Sequence, residues 1–325
     1  MKRTILYILI STLMFSLMEI ALKSAGNAFS PIQLNLIRFF IGGLVLLPVV
    51  LGHFRHSHIH FYKKDLAIFA LTGFLCVVVS MTLYQLAIVY DQASTVAVVF
   101  SCNPVFSLLF SFLILHETIH KLGLISMILS IVGLLVIVNP MKLTNPVGLA
   151  LAIGAAITFG LYSIISRWSS VMSGFNGLTT TCFTFLAGSI ELLILALISH
   201  VPMVAHGMQH VSWLASFSNT PILNNVNMHY FWLLFFISVC VTAGGFAFYF
   251  LAMDLAGVSM ASLVFFIKPG LAPILAMLLI HENISINTII GIVIILISSV
   301  VTFVGHRMAA AAKDLDDDLD NDDLA

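Results

Sequence analysis

Residues 84–117 read YQLAIVYDQASTVAVVFSCNPVFSLLFSFLILHE, and residues 249–282 read YFLAMDLAGVSMASLVFFIKPGLAPILAMLLIHE. The two stretches align without a gap at a fixed offset of 165. Tyr84, Leu86, Ala87, Ser94, Val99, Phe100, Pro104, His116 and Glu117 fall on Tyr249, Leu251, Ala252, Ser259, Val264, Phe265, Pro269, His281 and Glu282. A duplicated unit in so apolar a chain is a signature of membrane transporters.

Working outward, the chain is 60% hydrophobic and 8% charged, where a soluble domain carries roughly 25% charged residues. So few charges cannot clothe a surface in water, so lipid is the solvent. A spanning helix needs about 20 apolar residues. Ten stretches qualify: 4–24, 32–51, 66–90, 93–115, 122–138, 147–168, 178–199, 230–253, 258–280 and 286–305. Their unbroken hydrophobicity argues for helices over a β-barrel, whose strands would alternate apolar and polar. Lys2-Arg3 before an apolar run resembles a signal peptide, but the run is of full length, contains Glu19 and leads to a second span, which reads as a first transmembrane helix. The four cysteines lie within spans and read as apolar filler.

Lys and Arg concentrate on the cytoplasmic side of membrane proteins. With the N-terminus inside, ten crossings put Lys2, Arg3, Arg55, Lys63, Lys64, Lys121, Arg167, Arg307 and Lys313 inside, against Lys142 outside and Lys23 at the outer rim. Both termini are therefore expected in the cytoplasm, in a multi-pass protein of the cell membrane. The earlier helices repeat more weakly at an offset of 144, with Phe15 on Phe159, Leu17 on Leu161 and Phe39 on Phe183. The difference in offset is taken up by a polar loop free of Lys and Arg at about 200–229. The expected division is a first five-helix repeat at 1–140, a second at 141–306 and an acidic, disordered cytoplasmic tail at 307–325. Five is odd, so the copies have inverted topology. The expected fold is all-α, ten transmembrane helices in two inverted five-helix repeats, an arrangement suited to alternating access.

These residues resemble the drug/metabolite transporter superfamily, EamA type. The resemblance rests on Tyr84, Ala87, Pro104 and Glu117, repeated as Tyr249, Ala252, Pro269 and Glu282, and on Arg38-Phe39 early in the second helix. It covers roughly 4–304. The second repeat departs from it at Cys182, opposite Arg38, and at Ser298, opposite Gly133. It implies a transporter of small metabolites, with export of amino acids or related metabolites as the first expectation. A proton-coupled drug, cation or sugar transporter of the same fold is the alternative. A different class, a membrane sensor or scaffold docking through the acidic tail, is the further one. An intramembrane enzyme is disfavoured, because the histidines sit mainly in loops and at helix ends. The expected partners are a small-molecule solute and the bilayer, with no nucleic acid and no cofactor; monomer and homodimer stay open.

Among candidate site residues, Lys268 stands at the expected midplane, where a lysine costs about 2.5–3.5 kcal/mol on insertion scales. It is read as binding an anionic group such as a carboxylate, or else as paired with a buried acid. Its repeat mate is Asn103. Pro104, Pro269 and Pro273 are expected to break their helices beside a cavity, freeing the carbonyls of Phe100 and Phe265. Glu19 and Arg38 lie at equal depth, about 8–9 Å below the outer boundary at 1.5 Å rise per residue, and are read as an ion pair, with Lys23 competing for Glu19. Glu19 is also a proton-coupling candidate. Glu191 is an intramembrane acid that could partner Lys268. Tyr84, Tyr162 and Tyr249 are cavity candidates that can stack on or bond a substrate. Glu117 and Glu282 are expected to end their spans and bond amides at the start of the next helix. His53, His56, His58 and His60 read as a solvated loop rather than a metal site.

Overall fold

The computed structural model describes residues 2–26, 28–57, 62–116, 121–138, 145–210, 217–261 and 263–322. Those residues contain helices and no strand. Ten long helices follow one another: α1 (Lys2–Ala25), α2 (Pro31–Ser57), α3 (Lys63–Tyr90), α4 (Ala93–Leu115), α5 (Lys121–Val138), α6 (Pro146–Ser173), α7 (Gly177–Ile198), α8 (231–261), α9 (Leu263–Ile280) and α10 (Ile286–Asp322). Nine of them hold a stretch long and apolar enough to cross a bilayer. The tenth, α5, has 18 apolar-rich residues, which rise about 27 Å against a hydrocarbon core of about 30 Å. A short helix, Pro202–Gln209, lies in the connection between α7 and α8. Odd-numbered spans of the first copy therefore leave the face that bears the N-terminus, here the near face, and arrive at the opposite, far face.

Packing follows the inverted duplication. In the first copy, α1 lies against α8 and α9; in the second, its mate α6 lies against α3 and α4. The pairs α2 with α7, α4 with α9 and α5 with α10 are repeat mates packed on each other. A pseudo-two-fold axis in the membrane plane generates this set of contacts. Polarity is sorted for lipid: Leu113, Ile128 and Ile297 are half exposed on the outside, while Gln33, Asn35, Arg38 and Gln85 are buried.

Two contacts explain why small residues stand where they do. A β-carbon on Gly188 of α7 would lie 2.5 Å from Val77 Cβ and 2.8 Å from the Gly73 carbonyl of α3, so these helices touch through bare backbone. Between α5 and α10, the Ser298 hydroxyl that replaces the glycine of the first copy donates to the Ser126 carbonyl at 2.6 Å and faces the Ser130 hydroxyl at 2.7 Å. Its polar group is thus satisfied inside the membrane, as it must be.

Three expectations change. The acidic run expected to be disordered continues α10 in helical form to Asp322; the four alanines at 309–312 that lead into it are the strongest helix formers. The backbone of α8 stays helical to Ala261, beyond the expected end at 253. The prolines also act differently in the two copies. Around Pro104, α4 is split into Ala93–Phe100 and Asn103–Leu115, with Pro104 in the first turn of the second piece, where no amide is required. Pro269 and Pro273 instead lie inside a continuous α9. In the first copy Asn103 Nδ2 donates to the Phe100 carbonyl at 2.8 Å and holds the broken turn. The corresponding Lys268 is used elsewhere.

Candidate functional site

Four elements bring a charged cluster to the middle of the molecule. The buried stripe of α1, Phe15, Met18, Glu19 and Leu22, recurs at helical spacing and turns Glu19 inward. From α9, Lys268 Nζ approaches Glu19 Oε1 to 2.7 Å. From α3, the Tyr84 hydroxyl donates to the same oxygen. Glu19 is 1% exposed and Lys268 is 3% exposed. A buried ion pair needs such supporting hydrogen bonds to offset its desolvation.

Arg38 on α2 is fully buried, but it is not the ion-pair partner of Glu19 that its depth suggests. Its Nε donates to Asn35 Oδ1 at 2.9 Å, its Nη1 lies 3.6 Å from Met18 Sδ, and the guanidinium sits 4.3 Å above the Phe39 ring. Its Nη2 and Glu19 Oε2 have no hydrogen-bond partner among the described residues. The sequence offered Arg38 by equal depth and Lys23 by spacing as cations for Glu19; the packing of α1 on α9 gives it Lys268 instead.

Arg38 and Lys268 line a small central cavity of about 30 Å³, together with seven phenylalanines and Cys76. That volume admits a small number of waters, each needing about 10–15 Å³. Beyond Phe265 lies a second cavity of about 830 Å³, also lined by Phe265 and reaching from Asn103 to His116, Arg167 and Gly305 at the near-face ends of α4, α6 and α10. Its wall is rich in hydroxyls, including Ser107, Ser130, Ser299 and Thr302.

At the far face the two halves are bonded to each other. Glu282, at the end of α9, accepts from the Ala93 amide at 2.8 Å, the Ser94 amide at 3.0 Å and the Ser94 hydroxyl at 2.7 Å. Lys23 Nζ lies 3.5 Å from Glu282 Oε1 and donates to the Asp91 carbonyl. The sequence reading has Glu282 bonding the start of the next helix; it bonds the start of α4 in the other repeat, because inversion brings those two helix ends to one face. The next helix is capped by Ser285, whose Oγ accepts from the Thr288 amide at 3.1 Å. The α7–α8 connection covers the same face, with Asn225 Nδ2 donating to the Ala28 carbonyl at 2.6 Å and Gln33 Nε2 to the Asn224 carbonyl at 2.6 Å.

The sequence of each half matches one copy of the EamA-like transporter family, over residues 2–139 and 146–304. The chain belongs to the EamA-like transporter family. It is 31% identical over 322 residues to a protein of Clostridium kluyveri named as an uncharacterized transporter, covering 96% of this chain and 97% of that one. A crystal structure of another protein shares the fold with a TM-score of 0.61 at 16% identity, over 93% of this chain and 95% of that chain. The protein is thus a membrane transporter of this family, a multi-pass helical protein of two repeated halves.

The remaining candidates of this EamA-like transporter lie around the cluster rather than in it. Tyr84 has a mate, Tyr249, whose ring packs on Phe250 and Phe265 in a separate apolar patch. Tyr162 is buried beside Ser166, Thr181 and Thr184. Glu191 is half-buried on α7 with one oxygen unpartnered among the described residues, while Lys268 is taken by Glu19. Asn103 and Pro104 line the larger cavity; Pro269 and Pro273 are buried in α9. Glu117, His58 and His60 lie outside the described residues, and His53 is exposed. Missed by sequence reasoning were Ala93, Ser94 and Lys23 as partners of Glu282. One signal was present: Lys23 and Glu282 are both assigned to the outer rim by counting crossings.

Proposed function

We propose that the protein is a secondary transporter that moves a small metabolite across the cytoplasmic membrane by alternating access, with amino acids and related metabolites as the first candidates and export as the direction. The observation that carries this reading is one-sided access. A cavity of about 830 Å³ runs from Phe265, the ring that separates it from the charged centre, to the near face, while Glu282 bonds the two halves together at the far face. The excess of Lys and Arg at the near-face ends makes that face cytoplasmic, so both termini are inside and this is the inward-facing state. In the opposite state the halves, 1–140 and 141–306, exchange conformations. Glu117, the repeat mate of Glu282, then takes the corresponding part at the cytoplasmic face. Lys268 and Glu19 are the substrate-responsive pair between the two gates.

The test is counterflow in proteoliposomes, run with a panel of metabolites at two pH gradients. Saturable, self-exchanging uptake of one solute class is the expected result, with Lys268→Met inserted in the membrane normally but without flux. Wild-type kinetics in Lys268→Met would remove the central pair from the mechanism, and no counterflow for any solute would remove the reading.

A further inference from the structure

We infer that the central chamber is a recognition site for the carboxylate of a small monoanion with an apolar or aromatic remainder, and that it discriminates against zwitterions, cations and dianions. The inference rests on the transporter reading; within the metabolites that reading names it sets the zwitterionic amino acids aside in favour of related monoanions. Charge is the first argument. Two side chains lining the chamber are charged, Arg38 and Lys268, and both are positive. Glu19 neutralises Lys268 from behind the wall, since Glu19 is not itself a lining residue. One positive charge is left over, and it belongs to Arg38. A single carboxylate balances it. A zwitterion leaves the chamber charged, a free cation adds repulsion, and a dianion overshoots.

Geometry is the second argument. Arg38 Nε is committed to Asn35. The two terminal nitrogens are not: Nη1 faces a thioether sulfur at 3.6 Å, and Nη2 has no hydrogen-bond partner among the described residues. A thioether is a weak acceptor, and a buried donor without a partner is costly. The free pair of nitrogens is the end-on fork that binds a carboxylate through two parallel hydrogen bonds. The rest of the wall selects the body that carries the carboxylate. Phe39 underlies Arg38, Phe100 faces Lys268 at 5.7 Å, and Phe159, Phe185 and Phe246 complete an aromatic lining. Phe265 lines both the chamber and the larger cavity; displacing that one ring joins the two, so that the carboxylate takes the chamber of about 30 Å³ and the apolar body takes the space opened beside it.

Four probes with one phenyl body and different charge test this on the purified full chain: phenylacetate, L-phenylalanine, phenethylamine and phenylmalonate, by calorimetry and thermal shift at pH 7.5. Phenylacetate should bind at least about tenfold more tightly than the others: phenethylamine leaves the bidentate contact unused, while phenylalanine and phenylmalonate make it but leave the chamber charged. Arg38→Gln should abolish the preference and Arg38→Lys should keep part of it. The four-probe comparison is made on the unmodified protein, so it stands even if the Arg38 variants do not fold. Equal or tighter binding of phenylalanine, phenethylamine or phenylmalonate, or no binding of phenylacetate, overturns the inference. Phenylacetate counterflow separates the two readings. Binding without flux of any solute sinks the transporter reading and leaves the chamber; flux of other solutes without phenylacetate binding does the reverse.

Discussion

Glu19 and Lys268 make the most consequential pair of residues, because each is too deep to be rescued by water. Removing one partner leaves a charge stranded in a buried site, which costs about 3–5 kcal/mol, whereas removing both is often near neutral. Glu19→Gln and Lys268→Met are each expected to lower the melting temperature in detergent, and the double variant should recover most of the loss. Simple addition of the two losses would show that the contact carries no coupling energy. Asp91, in the α3–α4 turn on the far face, gives a pH prediction. Burial is the largest influence on its carboxyl and raises its pKa; the Gln92 amide and Lys23 lower it, and Glu282 raises it. A carboxyl raised in the closed state holds its proton more tightly there than when solvated. Closure is therefore favoured as pH falls and weakened as pH rises through the raised value. Far-face accessibility should increase with pH, and Asp91→Asn should flatten that dependence. At this scale the sequence was half legible. Depth and polarity picked out Glu19, Arg38, Lys268 and Tyr84, but which cation meets Glu19 depends on the rotation and neighbours of α1, and residue spacing along one helix does not encode those.

Elements in this molecule are joined by close backbone contact as much as by side-chain packing. Gly188 and Gly73 show it most plainly, since a β-carbon on Gly73 would lie 2.5 Å from the Gly188 amide nitrogen. Either glycine changed to alanine forces α3 and α7 apart. Overpacking of this kind costs about 1–3 kcal/mol, and thermal unfolding of Gly188→Ala should show it. Gly207, where a β-carbon meets nothing within 4 Å, is the control that should not lose stability. The spans were readable because lipid imposes one rule, unbroken apolar runs of fixed length. The unequal behaviour of Pro104 and Pro269 was not, because a proline shows where an amide is missing but not whether a neighbouring Asn side chain will hold the turn open.

Across the whole molecule, the closed far face depends on a few polar bonds between the two halves. Glu282→Ala removes three hydrogen bonds and the Lys23 contact together. The variant should populate a far-open state. With Cys102, Cys182 and Cys240 replaced by alanine, Cys76 should then react with an impermeant thiol reagent added from the far side; unchanged protection of Cys76 would show that other contacts hold that face. The inverted arrangement itself was legible from the 165-residue offset and a count of five crossings. The partnership of Glu282 with Ser94 needed the two halves assembled. The widened π-helical turns of α3 and α8, at Phe74–Ser80 and Phe236–Gly244, overlap when shifted by 165 residues, and His116 and His281 share a left-handed backbone at φ 54° and 53°. Features held by both copies were present in the single ancestral unit. Glu19, Arg38 and Lys268 face Ser163, Cys182 and Asn103 in the other copy, so the charged centre differs where the scaffold agrees. The scaffold is older than the duplication, and the asymmetry of the charged centre arose after it, when two identical halves were free to specialise.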